Sequence, residues 1–184
     1  TNHYIPGDER SFTIIAFPIP EIGENFPEIF RVTVKINTLD SAHYRKIQQY
    51  LIDALDKGKY VHVKGKGENR TDLKIALAEL TAPSRQTLFE NCVADVNIPV
   101  GEVFTSPKLS GTEGILHVTQ VYLSGLLYKD LEIHLKDGMV TEYSCGNFES
   151  REANLEYIRE NLLFQHDTLP LGEFAVGTNT AAYA

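Results

Sequence analysis

The sequence predicts an α+β fold in which helices gather toward the N-terminus and a mostly antiparallel, β-rich half follows. Three observations predict it. Residues 41–57 carry apolar positions at helical spacing. From Val93 to Cys145 apolar and polar residues alternate with the period of a strand. Within that stretch Asp137-Gly138 stands between two alternating runs, a strong signal for a two-residue hairpin turn.

Each element follows in chain order. "SFTIIAF" (11–17) is rich in β-formers and is closed by Pro18 and Pro20, so it reads as a buried strand. "PEIFRVTVKIN" (27–37) is ambiguous: Pro27 suits a helix start while "RVTVKI" alternates, and the reading here is helix. Asp40 or Ser41 caps the next helix, which runs to about Lys57 and is stopped by Gly58. Its inward face is read as Tyr44, Ile47, Leu51, Ala54 and Leu55. "YVHVKG" (60–65) and "DLKIAL" (72–77) are strands, and residues 83–91 are loop-rich. "SREANLEYIRENLLF" (150–164) is a helix with Ser150 as a possible cap and Leu155, Ile158 and Leu162 facing inward. A short strand over 169–179 carries an embedded Glu173.

Composition bounds the function. At 184 residues the chain is long enough to bury a real core. Its net charge of −8 argues against a protein that neutralises a nucleic-acid backbone, and against an anionic membrane surface as partner. No apolar run approaches the roughly 20 residues of a membrane helix, and no leader with a basic start and apolar middle is present. The two cysteines, Cys92 and Cys145, lie far apart in no metal-type spacing and fit a reducing compartment best. Asn69-Arg70-Thr71 matches a glycosylation acceptor, a pattern that chance explains as well. The chain begins at Thr1 and ends in "TNTAAYA" directly after an apolar segment, so a fragment cut at both ends is expected.

Two carboxylates stand out. Glu102 in "GEVFT" and Glu173 in "LGEFAVG" each follow a glycine and precede an apolar pair. A carboxylate buried in an apolar strand needs an ion pair, hydrogen bonds or a metal. Such a pair suits divalent-cation ligation or the acid and base of a glycosidase; exposed strand-end residues explain it too. The six histidines (His3, His43, His62, His117, His134, His166) form no His-x-x-x-His pair. His62, His117 and His134 alternate in strands and read as sheet-face residues, and His166-Asp167 as a helix C-terminal pair or an orienting one. "GKGENRTD" (65–72) falls short of a phosphate-loop pattern and reads equally as a hairpin connection. No G-x-S-x-G is present.

Taken together, "NIPVGEVFTSP", Glu113-Gly114, "LKDGMVTEY" and "LGEFAVGTN" resemble the aminopeptidase T / aminopeptidase S family of thermophilic-type metalloaminopeptidases, with "TDLKIAL" and "AFPIP" as weaker matches upstream. The resemblance covers most of the chain in the expected order. It implies a cytoplasmic, usually dimeric enzyme that removes N-terminal residues from peptides with two divalent metal ions, zinc or cobalt. Carried over residue by residue, it makes Glu102 and Glu173 metal ligands. It divides the chain into the end of an N-terminal α/β domain (1–58) and a partial β-rich metallopeptidase domain (59–184), truncated. The family's remaining ligands, a histidine and a His-x-Asp pair, and its catalytic tyrosine follow "LGE" at distances that place them beyond Ala184. Many relatives carry Glu-Glu-Val-Phe-Thr where this chain has Gly101-Glu102-Val103-Phe104-Thr105, so Glu102 alone carries over. After "LGE", "FAVGTNTAAY" departs from the commoner pattern and leaves the preferred substrate residue open.

The expected activity is therefore a two-metal aminopeptidase acting on peptides, with no nucleic-acid or membrane partner, a homodimer in the full-length protein, and a chain that by itself turns over little. A carboxylate-pair glycoside hydrolase and a non-catalytic scaffold domain are the alternatives.

Overall fold

The computed structural model describes residues 17–94 and 99–182. Most of the expected strand at 11–17, His3, and Val96–Ile98 of the "VNIPVGEVFTSP" run lie outside the described residues. The architecture is α+β, and every strand pairing with a defined register is antiparallel. The described residues fall into two compact units that interleave along the chain. One draws on the described residues within 17–53, 90–94, 99–104 and 175–182, the other on 54–89 and 105–174.

The first unit begins with a short 3-10 turn at Pro20–Ile22 and helix α1, Phe26–Asn37. The helical reading of this ambiguous stretch holds: Pro27 lies in the first turn, where its missing N–H costs nothing. Helix α2, Ser41–Leu55, starts at Asp40, whose Oδ1 accepts from the His43 amide at 2.9 Å and supplies the cap. Its buried face differs from the expected one. Gln48 and Ile52 are the fully buried residues, whereas Ile47 is 44% exposed and Ala54 is exposed. The inward stripe therefore runs through Tyr44, Gln48, Leu51, Ile52 and Leu55, rotated from the reading that followed apolar residues alone. Strands β3 (Glu90–Cys92), β4 (Glu102–Thr105) and β8 (Phe174–Gly177) form a small sheet in the order β3-β4-β8. Cys92 pairs with Glu102 and Asn91 with Val103.

The second unit is built on a five-stranded sheet in the order β1-β2-β5-β6-β7. Its strands are β1 (Tyr60–Lys64), β2 (Asp72–Ala76), β5 (Lys108–Leu123), β6 (Leu126–Lys136) and β7 (Met139–Ser144). The Asp137-Gly138 hairpin is present, with φ of 47° and 71° at its two central residues, the paired positive angles of a type I′ turn. Helix α3, Arg151–Asn161, is capped by Ser150, which accepts from the Ala153 amide at 3.2 Å. The helix lays Ile158 onto a core of Tyr128, Leu131, Cys145 and Leu163. A second cluster of Leu73, Ile75 and Leu135 packs on the same sheet. Each such side chain, removed from water, contributes roughly 1.5–3 kcal/mol of hydrophobic stabilisation. An apolar cavity of about 180 Å³ lies within this unit, bordered by Leu116, Ile133, Val140, Ile158, Leu163 and Leu169. No helix of the described residues is long and apolar enough to cross a membrane.

Candidate functional site

Glu102 opens β4, and the local sequence decides how it is held. β4 alternates: Val103 and Thr105 are buried, while Glu102 and Phe104 project to the other face and are half-buried. The strand cannot extend back through Gly101, which has a φ of 98°. A Cβ there would sit 3.2 Å from Thr178 Oγ1 and 3.3 Å from Leu39 Cδ1. Glycine fits both the angle and the space, so Gly101, ahead of Glu102, has a local steric reason. Three successive main-chain carbonyls around this point are each engaged. Val100 O accepts from Asn179 Nδ2 at 2.9 Å and Gly101 O from the Thr178 amide at 2.9 Å. Glu102 O accepts from Gln48 Nε2 at 2.5 Å. The same Gln48 nitrogen donates to Cys92 O at 2.9 Å, and Asn179 Nδ2 also donates to Ile36 O at 2.7 Å.

Glu173, in the second unit, is mounted differently. Residues 168–171 run along the outer edge of β7: the Val140 amide donates to Leu169 O at 3.0 Å and the Leu171 amide to Gly138 O at 2.7 Å. Phe174, the residue after Glu173, packs edge-on against Phe89 with ring centroids 6.3 Å apart. Glu173 thus lies between the anchored Leu171 and Phe174, yet its own side chain is exposed and lies just outside β8. The burial expected of an acid inside an apolar strand is not found here, because the strand begins one residue later.

Three histidines are paired with carboxylates on a neighbouring strand or on their own. His117 is fully buried; its Nδ1 accepts from the Arg70 amide at 3.0 Å and its Nε2 contacts Asp130 Oδ1 at 2.8 Å. His134 Nε2 meets Glu132 Oε1 at 2.9 Å, and Arg70 bridges the pair of acids through Nε to Glu132 at 3.1 Å and Nη1 to Asp130 at 3.7 Å. His62 Nε2 meets Asp72 Oδ1 at 2.6 Å on the surface. These contacts hold the carboxyl groups below the ordinary range. For Asp130 the leading cause is the His117 hydrogen bond, for Glu132 that of His134, and for Asp72 that of His62. Sequence reading missed all three pairs, since the partners are neighbours across strands or alternate positions on one strand and follow no motif. The Asn69 side chain is consumed by the fold: Nδ2 donates to His117 O and Oδ1 accepts from the Thr71 amide, both at 2.9 Å. "GKGENRTD" is the β1–β2 connection, closed by Gly65 N to Thr71 O at 2.7 Å.

Among the described residues no group of three or more His, Cys, Asp or Glu side chains is placed to hold a metal ion. Carboxylate oxygen is a suitable donor for divalent cations, so Glu102 and Glu173 fit such an ion in type, though two donors do not close its coordination shell.

The profile of the thermophilic metalloprotease (M29) family matches residues 17–183. The chain belongs to that family. A solved structure, wild-type AmpT from Thermus thermophilus, matches this metalloprotease-family chain with a TM-score of 0.60 at 20% identity, over 89% of this chain and 42% of that one. The chain therefore spans less than half the length of that relative, and the likeness is one of fold. No curated protein matches the sequence.

Proposed function

We propose that the full-length protein carrying this chain is a metal-dependent aminopeptidase that releases N-terminal residues from peptides, using a water activated by two divalent cations, zinc or cobalt. The observation that carries this reading is the match of a metalloprotease family along residues 17–183; the fold likeness to AmpT and the "GEVFTSP" and "LGE" runs support it. Two bound cations of this kind lower the pKa of a water toward neutrality and polarise a scissile carbonyl. The part of this chain is to hold them: Glu102 and Glu173 supply anionic oxygens that offset the repulsion between the cations. Glu102 does so from a clamped main chain, and Glu173 from a short stretch between the anchored Leu171 and Phe174. A free substrate α-amine binding at the same place would select the peptide N-terminus.

With two such carboxylates and no larger donor cluster among the described residues, the 184-residue chain alone is expected to bind zinc weakly and turn over little. The family resemblance further supports a cytoplasmic homodimer, peptide rather than nucleic-acid or membrane partners, and an N-terminal part continuous with an α/β domain.

Release of p-nitroaniline from a panel of aminoacyl p-nitroanilides by the full-length protein tests the reading. Activity abolished by 1,10-phenanthroline and restored by zinc or cobalt is the expected result. Glycoside hydrolysis insensitive to the chelator, with no aminoacyl release, would contradict it and favour the carboxylate-pair alternative.

A further inference from the structure

Gln48 is a polar residue in the middle of the buried face of α2, with no exposed surface. Both groups facing its amide nitrogen are carbonyl oxygens, Cys92 O and Glu102 O. Only the NH2 end of the amide can meet two acceptors, so the orientation of the side chain is fixed by its partners. Its two N–H bonds are both used, and its Oε1 has no hydrogen-bond partner among the described residues. The side chain is therefore retained for its donors. A leucine or methionine of similar size would fill the volume but offer no donor to either carbonyl.

The two carbonyls belong to the register pair Cys92↔Glu102, where β3 meets the first residue of β4. Gln48 thus ties both strands to α2 at the residue whose carboxylate is read as a metal ligand. Asn179 and Thr178 hold Val100 O and Gly101 O on the preceding residues, and Gly101 turns the chain with a φ of 98°. With Val100 O, Gly101 O and its own carbonyl all held, the Cα–Cβ direction of Glu102 is set by the main chain and does not depend on an ion being bound. A ligand held in place beforehand loses less freedom when it coordinates, and groups that orient ligands commonly affect metal affinity 10- to 100-fold.

We propose that Gln48 is a positioning residue for Glu102, orienting that carboxylate toward the metal through the main chain of β4. The inference rests on the metal-ligand reading of Glu102. It is tested by zinc affinity of the full-length protein, measured by competition with a chromogenic chelator, with the absorption spectrum of the cobalt-substituted protein as a second readout. Q48M is expected to keep the near-ultraviolet circular dichroism of the native fold, to bind zinc roughly 10- to 100-fold more weakly, and to shift the cobalt absorption bands. K46M, on the exposed side of the same helix, is expected to change none of these. Native zinc affinity and an unchanged cobalt spectrum in a folded Q48M overturn the inference. E102Q separates the two readings. If E102Q binds zinc as tightly as the native protein, Glu102 is no ligand and both readings fall. If E102Q weakens binding and Q48M does not, the inference alone falls. Should Q48M not fold, the native protein decides: zinc addition is expected to move the Gln48 side-chain NH2 resonances together with the Glu102 amide, and Gln48 signals that stay fixed while Glu102 moves overturn it.

Discussion

His117 and Asp130 are joined across β5 and β6, with the buried imidazole reaching an exposed carboxylate at 2.8 Å. Because Nδ1 accepts from the Arg70 amide, the proton of the neutral ring sits on Nε2 and is donated to Asp130. His117→Leu leaves the Arg70 amide without its acceptor and is expected to cost about 2–3 kcal/mol in urea unfolding; a loss within error of zero would contradict this account of the ring.

The Asp130 carboxyl is held below its ordinary range by that hydrogen bond first and by Arg70 second. A depressed folded pKa stabilises the fold above the ordinary carboxylate value of about 4, and the gain is lost as pH falls through the folded value. The stability difference between the native protein and D130N is therefore expected to be constant at pH 5–7 and to shrink below about pH 4. A difference that grows on acidification would reverse the sign of the argument.

Arg70 contributes to two carboxyl groups at once. In R70M, carbon-13 titration is expected to show both Asp130 and Glu132 rising toward ordinary values without reaching them, since the histidine hydrogen bonds that are the larger cause remain. A rise of only one would break the bridge described here.

Gly138 cannot be replaced. Beyond its φ of 71°, a Cβ would lie 2.7 Å from Leu109 Cα. G138A is expected to lose about 2–3 kcal/mol of stability, and a neutral G138A in thermal unfolding would show that Leu109 gives way freely.

Much of this was legible in the sequence. The Asp137-Gly138 turn, the Ser150 cap and the strands between Glu102 and Ser144 depend on local chemistry that the residues display directly. Apolarity alone misplaces the buried face of α2. Ile47 faces outward and Gln48 inward, since the buried amide NH2 donates to two carbonyls that an apolar residue could not serve. A polar residue four positions after Tyr44 and three before Leu51 was the available signal. The mounting of Glu102 was not legible, because its partners Gln48, Thr178 and Asn179 are far away in sequence. The exposure of Glu173 turns on where β8 begins, and strand ends are weakly encoded.

The most direct test is the metal content of purified full-length protein, native and with E102Q or E173Q, measured by inductively coupled plasma mass spectrometry after dialysis against zinc at a concentration that saturates only the native site. The account predicts two zinc ions per chain in the native protein and fewer in each variant, with the fold retained. Two ions per chain in all three proteins would contradict it.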